Sequence, residues 1–407
     1  MKLDTLKNKR ILILGFGREG KDTFKFLRKL FPNKILGIGD RDKKVKSQKS
    51  KVKNVNWHLD NNYLKAFRDY DVIIKSPGIP LKTIKPYLKK NQKITSQTEI
   101  FLENCPGKII GVTGTKGKST TASLIHKILK EGGLKVHLIG NIGKPVLSFL
   151  FKAESKDIYV YELSSHQLAN VKKSPQVSVF LNIYPEHLDY YKNFQDYANS
   201  KANINRYQKK DDYLVFNSAD KLVKKFAKKT KAQKVPIKGK YYDLNKNAAR
   251  AVGNIFKIPK ITVEKTIREF ISLPHRLEYV GNYKGINFYN DSLSTVPEST
   301  IAALNSLSKD VQTILLGGFD RKVNFKNLAE EILKKKIKTL ILFPTTGQKI
   351  WNNVSRLSKR KTNLPEHFFV NNMPDAVKIS YRKTLKEKIC LLSPASPSFG
   401  IFKDYKE

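Results

Sequence analysis

The sequence predicts an α/β protein built as three doubly wound domains. Three observations lead there. Apolar, β-branched runs alternate with polar stretches of helical spacing along the whole chain. The strand-like runs end repeatedly in glycine or small polar residues, as strands of a parallel sheet do where a ligand binds. Pro274 then punctuates the alternation, which starts afresh behind it. With 407 residues the chain has length for roughly three domains, and the predicted boundaries are 1–104, 105–274 and 275–407.

The first domain opens with ILILGFGREG, where Gly15, Gly17 and Gly20 stand in G-x-G-x-x-G spacing between a strand and the helical run TFKFLRKL. The second strand, KILGIGDRD, ends at Asp40, where a Rossmann-like fold places an acidic ribose ligand. The third, DVIIKSPGIP, ends in Ser76-Pro77-Gly78. This spacing serves NAD or another phosphate-bearing nucleotide equally well, so an NAD-dependent oxidoreductase stays open here as an alternative.

The central segment carries the most specific motif, GVTGTKGKSTT from Gly111 to Thr121, between the apolar Ile109-Ile110 and the helical TASLIHKILK. Backbone N–H groups of such a turn cradle phosphates at a helix N-terminus. Lys118 would reach the outer phosphates, and the Ser119 hydroxyl would bind a bridging Mg²⁺. The strict G-x-x-x-x-G-K-[ST] pattern fails at Val112, with glycines at Gly111 and Gly114 instead. A P-loop-type ATPase domain is the reading. Downstream strands exit at Asn141-Ile142-Gly143, at Glu162 with Ser164 and Gln167, and near Glu186, His187 and Asp189. Glu162 can supply a carboxylate to the same Mg²⁺, and His187 with its carboxylate neighbours points to a second metal position. Lys201 lies in a helix-like stretch fourteen residues past His187, one lysine among many.

The last third reads β-α-β-α-β-α-β, with polar strand exits at Asn290-Asp291-Ser292, at Gly317-Gly318 with Asp320-Arg321, and at Ser393 through Ser398. It is predicted to be a Rossmann-like α/β domain of its own.

Composition excludes several classes. The net charge of +43 comes from 78 basic against 35 acidic residues, but the lysines are spread along the chain without an arginine-rich arm or a basic stripe. That argues against a nucleic-acid partner while favouring anionic small substrates. No apolar run is long enough to span a membrane, and the short apolar stretch after MKLDTLKNKR runs into the first glycine motif, so it reads as a strand. Cys105 and Cys390 are too few and too far apart for a disulfide framework, which fits a cytoplasmic protein.

In order, the motifs GFGREG, SPGI, GVTGTKGKST, GNIG, ELSSHQL, NIYPEHLD, the Lys201 helix, LPHRLE, NDS, STIAAL, LGGFDR and LSPASPS resemble the Mur ligases over nearly the whole chain, most closely the branch that adds D-glutamate. The resemblance implies an ATP-dependent ligase of peptidoglycan precursor synthesis that forms an amide through an acyl phosphate. UDP-N-acetylmuramoyl-L-alanine and D-glutamate would be its partners, with a sibling amino acid as the alternative. It implies ATP contacts at Gly114, Thr115, Lys116, Gly117, Lys118, Ser119, Thr120, Asn245, Arg276 and Asp291. Catalysis would fall to Lys118, His187 and Lys201. Two Mg²⁺ ions would be held by Ser119, Glu162, His187 and a carbamylated Lys201.

The UDP-sugar would meet Gly17, Arg18, Asp40, Arg41, Ser76, Pro77 and Gly78, and its muramoyl-alanyl end Asn141, Ser164 and Gln167. D-glutamate would meet Thr295, Arg321, Ser398 and Tyr405. A monomer whose third domain closes on the other two is implied. This chain departs from the pattern at three places. Tyr241-Tyr242 stands where His-Asn is usual, Leu293 where many relatives carry Lys, and His166 where ELSS-x-QL has an aromatic.

Overall fold

The apolar runs fold into strands, and their glycine-rich and polar ends become strand exits. A computed structural model describes all residues except 43–44, 46–52, 61–62, 142–145, 188–189, 240, 308–309, 359–363, 400 and 404–407, together with the side chain of Tyr241. The first sheet contains β1 (Ile11–Leu14), β2 (Leu36–Asp40), β3 (Val55–Leu59), β4 (Val72–Lys75) and β5 (Lys93–Thr95), in the order β3-β2-β1-β4-β5. All its pairings are parallel. Ile11, Leu12, Ile13 and Leu14 are all buried, as a central parallel strand with both faces covered requires. The strand order reverses between β1 and β4, so the crevice at their C-terminal ends is the binding position of this topology.

The second sheet contains β6 (Lys108–Thr113), β7 (Val136–Gly140), β8 (Ile158–Glu162), β9 (Val177–Phe180), β10 (Tyr213–Asn217) and β11 (Gln233–Ile237). Its order is β11-β10-β9-β6-β8-β7, again all parallel. β6 lies between β8 and β9, which puts the phosphate turn among three strand exits. The third sheet contains β12 (Glu278–Tyr283), β13 (Ile286–Asn290), β14 (Val311–Gly317), β15 (Thr339–Phe343), β16 (Glu366–Phe369) and β17 (Ile389–Leu392), ordered β12-β13-β17-β14-β15-β16. β12 is antiparallel to β13, with a register shift between Tyr279 and Gly281.

Sequence spacing misses β3, β5, β12 and β16, and each of these is a sheet edge. Val55–Leu59 and Glu366–Phe369 have no fully buried residue, so neither shows a strong apolar run. The helix Gly347–Leu357 also escapes, because Ile350 and Val354 are its only buried large residues. The helical spacing of TVEKTIREFISL would carry a helix through Leu273, yet the helix ends earlier, at Arg268. Ile271, which extended its apolar pattern, is 85% exposed.

Two compact units divide the chain, Met1–Glu269 and Phe270–Glu407. Within the first, one buried cluster runs through both sheets, joining Ile11, Ile13 and Phe26 to Phe101, Tyr159, Tyr161 and Phe180. Phe101 sits edge-on to Tyr159 and Tyr161, with centroids 5.4 and 5.8 Å away. The second unit has its own cluster of Ile286, Leu315, Ile341, Phe343, Val370, Ala376 and Cys390. Replacing fully buried Phe101 with Ala removes a ring of the shared cluster that packs against Tyr159 and Tyr161. Urea denaturation of Phe101→Ala is expected to show a loss of about 3–5 kcal/mol, with the signals of both sheets shifting together.

Candidate active site

The turn after β6 is shaped by glycines that neighbouring groups leave no room to replace. Gly117 caps the helix Lys118–Glu131 at φ +85°, in the left-handed region, and a Cβ there would collide with the Asn245 side-chain oxygen. Asn245, itself buried, is thereby brought beside the turn from the helix Tyr241–Ile255. The Asn182 amide brackets Lys116, accepting from its N–H (2.8 Å) and donating to its carbonyl (3.0 Å). Thr115 Oγ1 lies 2.9 Å from Tyr197 OH and accepts from Tyr184 N–H. The helix starting at Lys118 turns its N-terminal amides and its dipole toward the turn, an arrangement suited to phosphate. Ser119 and Thr120, in its first turn, are buried.

Positive charge converges here. Lys118 Nζ donates to Gly114 O (3.0 Å) and Thr115 O (2.9 Å), and Lys201 Nζ donates to the same Gly114 O at 2.8 Å. Lys116 pairs with Glu186 at 3.1 Å. Burial opposes ionisation of Glu186, but Lys116, Lys118, His187 and Lys201 around it prevail and hold the carboxyl at about 2. Burial drives Lys201 well below the usual lysine range, and Lys118 pushes the same way. Lys201 is the residue whose role composition could not signal, and the fold encloses it completely beside the Tyr197 ring, 5.0 Å from its centroid.

Glu162, at the end of β8, is 1% exposed. Asn141 donates a long bond (3.4 Å) to its Oε1, while Oε2 has no hydrogen-bond partner among the described residues. An orphaned buried carboxylate oxygen is costly, and a hard cation would satisfy it. Among the described residues no cluster of three or more His, Cys, Asp or Glu side chains is disposed to hold a metal. A single buried carboxylate oxygen of this kind fits Mg²⁺, which takes one or two carboxylates and completes its shell with water and substrate phosphates. His187 adopts a left-handed backbone (φ +57°), uncommon outside glycine. Its Nε2 lies 3.7 Å from Glu186.

The crevice between β1 and β4 is a cavity of about 330 Å³. Gly17, Arg18, Ser76, Pro77, Gly78, Asn141 and Gln167 all line it, uniting predicted contacts from both sheets of this unit. Asp40 and Arg41 are not in its lining. The Asp40 carboxylate accepts from Phe16 N (2.6 Å) and Asp42 N (2.8 Å), which fixes the glycine turn, and Arg41 is exposed. Ser164 and Gln167 form a capping box on a short helix, and Gln167 Nε2 also donates to Glu19 at 2.9 Å.

In the second unit, Asp291 is buried at the exit of β13. It accepts from Leu277 N (3.1 Å), Ser393 Oγ (2.8 Å) and Ser294 Oγ. Burial still pushes it up to about 6. Arg276, on the segment leading into β12, is half-buried. Thr295, Arg321 and Ser398 follow β13, β14 and β17, which neighbour one another in the sheet. Tyr405, Ile142, Gly143 and Asp189 lie outside the described residues.

Sequence reading passed over Asn182 and Lys75. A paired amide clamp has no sequence signature, and a buried lysine looks like any other before folding. Glu186 was placed near His187, but its role as counterion to the lysines was not legible.

The chain is 32% identical to a UDP-N-acetylmuramoylalanine–D-glutamate ligase of Acetivibrio thermocellus, an alignment covering 99% of this chain and 95% of the relative. It belongs to the Mur ligase family. Residues 112–289 match the Mur ligase middle domain. A ligase of the same description from Clostridium acetobutylicum is also 32% identical, over 98% of this chain and 95% of that one. The fold is similar to that of MurF from Acinetobacter baumannii (TM-score 0.60, 13% identity, 80% and 87% of the two chains). As a Mur ligase the chain is an ATP-dependent ligase, and the oxidoreductase reading of its first glycine motif falls.

In this Mur ligase the charge balance yields a test. Glu186→Gln leaves Lys116 and Lys118 without their neighbouring carboxylate, a cost of about 3 kcal/mol or more. The nucleotide-free protein should lose roughly 5–10 °C in Tm, and ATP should restore most of it because phosphate takes over the neutralisation. Because folding holds the Glu186 carboxyl below its ordinary 4.5, its stabilisation is present above that value and lost as pH falls toward 2. A thermal-shift pH series should accordingly show a shallower acid limb for the variant.

Proposed function

We propose that this chain joins D-glutamate to UDP-N-acetylmuramoyl-L-alanine at the expense of ATP, in the cytoplasm and as a monomer. The observation that carries the reading is the gathering of Lys118, Lys201 and the unpartnered Glu162 oxygen around a glycine turn that leaves its helix N-terminus for phosphate. Near-full-length similarity to D-glutamate ligases supports the choice of substrates. No helix among the described residues is long and apolar enough to cross a membrane.

The L-alanyl carboxylate attacks the γ-phosphorus of ATP, ADP leaves, and an acyl phosphate forms. The D-glutamate amine then adds to its carbonyl, loses a proton, and inorganic phosphate departs to leave the amide. Carboxylate and triphosphate repel each other as they approach, and Lys118 offsets the charge that builds between them. Lys116 orders the turn through Asn182 and can exchange Glu186 for a phosphate oxygen.

Ser119 and Glu162 would hold one Mg²⁺, with His187 and a carbamylated Lys201 holding a second. The ions would supply further neutralisation of the phosphates. Burial favours the neutral Lys201 amine, the form that adds to CO₂. Gly17, Arg18, Ser76, Pro77 and Gly78 would receive the nucleotide diphosphate, with Asp40 and Arg41 toward the ribose and base. Asn141, Ser164 and Gln167 would meet the muramoyl-alanyl arm. Asn245, Arg276 and Asp291 would meet ATP, and Thr295, Arg321, Ser398 and Tyr405 would grip D-glutamate, an Arg being suited to a carboxylate by its planar fork. The domain division 1–104, 105–274 and 275–407 belongs to this reading.

Purified protein with ATP, Mg²⁺ and UDP-N-acetylmuramoyl-L-alanine is expected to release phosphate only when D-glutamate is added. Release with another amino acid and none with D-glutamate would overturn the specificity. Lys118→Ala should lower kcat by at least about 100-fold. Lys201→Ala should be inactive until short-chain carboxylic acids are added, and full activity without them would refute the carbamate.

A further inference from the structure

Tyr190 spans the two binding positions of the first unit. Its backbone N–H donates to His187 O at 3.1 Å, while its hydroxyl lies 2.8 Å from Pro77 O and 3.1 Å from Ile79 O, on the turn after β4. Its ring meets His166 edge-on, with centroids 4.2 Å apart at 88°. His166 in turn packs against the His187 ring at 4.7 Å and 73°. The side chain thus touches the wall of the cavity beside Ser76–Gly78 and, through one intervening ring, the histidine whose Nε2 lies 3.7 Å from Glu186.

The turn it grips is held from behind. Buried Lys75 donates to Ser76 O (3.0 Å) and Ile79 O (2.8 Å), and Ser76 Oγ donates to Gly15 O (2.9 Å). Its other side is open, since a Cβ at Gly78 would meet nothing within 4 Å. A ligand entering the cavity therefore acts on a turn whose remaining freedom is small and whose carbonyls face Tyr190. The tyrosine hydroxyl has one proton and two acceptors. Pro77 O and Ile79 O both lie within its reach, so a shift of this turn changes the hydrogen bond that helps to fix the ring against His166. A contact shared by two sites in this way can bias both.

We propose that Tyr190 is a positioning residue that couples occupancy of the nucleotide-diphosphate crevice to the setting of His187 at the ATP turn. This rests on the ligase reading above. A diphosphate seated against Ser76–Gly78 shifts this turn and with it the hydroxyl's hydrogen bond, and the ring carries that shift through His166 to His187. Nucleotide at the ATP turn biases the same element from the other end.

Isothermal titration of the full chain tests it. In the wild type, saturating Mg·ADP is expected to change the Kd of UDP-N-acetylmuramoyl-L-alanine by about fivefold or more, and the sugar nucleotide to change the Kd of Mg·ADP by the same factor. Tyr190→Phe keeps the ring against His166 and removes only the hydroxyl. It should bind each ligand alone within about threefold of wild type, while the coupling factor falls below about twofold. A variant that keeps the wild-type factor, or a wild type with both ligands bound and no coupling, overturns the proposal alone. A wild type that binds Mg·ADP but not the sugar nucleotide overturns the ligase reading and the proposal with it.

Discussion

Like charges crowded around one backbone turn are the condition that the centre of this protein has to satisfy. Lys118 and Lys201 share the carbonyl of Gly114, and Lys116 stands one residue beyond Thr115. Ammonium groups so close, out of bulk water, repel one another strongly. Three features relieve the repulsion. Carbonyls of the turn itself point at the ammoniums, Glu186 stays ionised among them, and Lys201 gives up its proton more readily than an exposed lysine would. All three make the crowding of cations at the turn tolerable, and a triphosphate would supply further anions.

The same balance explains what could be read in advance. Glycines in the phosphate turn were legible because their spacing reports a backbone requirement, and the structure gives the causes in Leu181 behind Gly114 and Asn245 behind Gly117. Strand exits were legible because central parallel strands are unbroken apolar runs. The edge strands β3, β5, β12 and β16 were not, since much of their surface carries ordinary polar residues, although β7, also an edge, was. The direction of a side chain was also beyond reach. Asp40 stands where spacing put it, at the end of β2, yet its carboxylate turns to the amides of Phe16 and Asp42. Lys75 shows the limit most plainly. Among 78 basic residues nothing sets it apart until it is found buried, lowered to about 8 by burial and tied to two carbonyls of the turn.

The second unit solves a related problem with one carboxylate. Asp291 gathers donors from the segment before β12, from the loop after β13 and from the exit of β17. Such a group defines where three chain segments stand relative to one another. Thr295 and Ser398 follow two of these segments, after β13 and after β17. A residue matched to nucleotide contact by its motif thus also organises the loops around it.

The buried cluster that holds Phe26, Phe101 and Tyr161 together has an evolutionary consequence. A sheet that shares its interior with its neighbour cannot be traded as a cassette. Cut away by recombination, the first sheet would expose Phe101 and its partners to water, and a newly joined one would need rings of matching shape in the same places. The glycine turn after β6 and the crevice between β1 and β4 therefore stand on one shared core. The Phe270–Glu407 unit has a core of its own, so changes in its interior need no matching change in the aromatic cluster of the first unit.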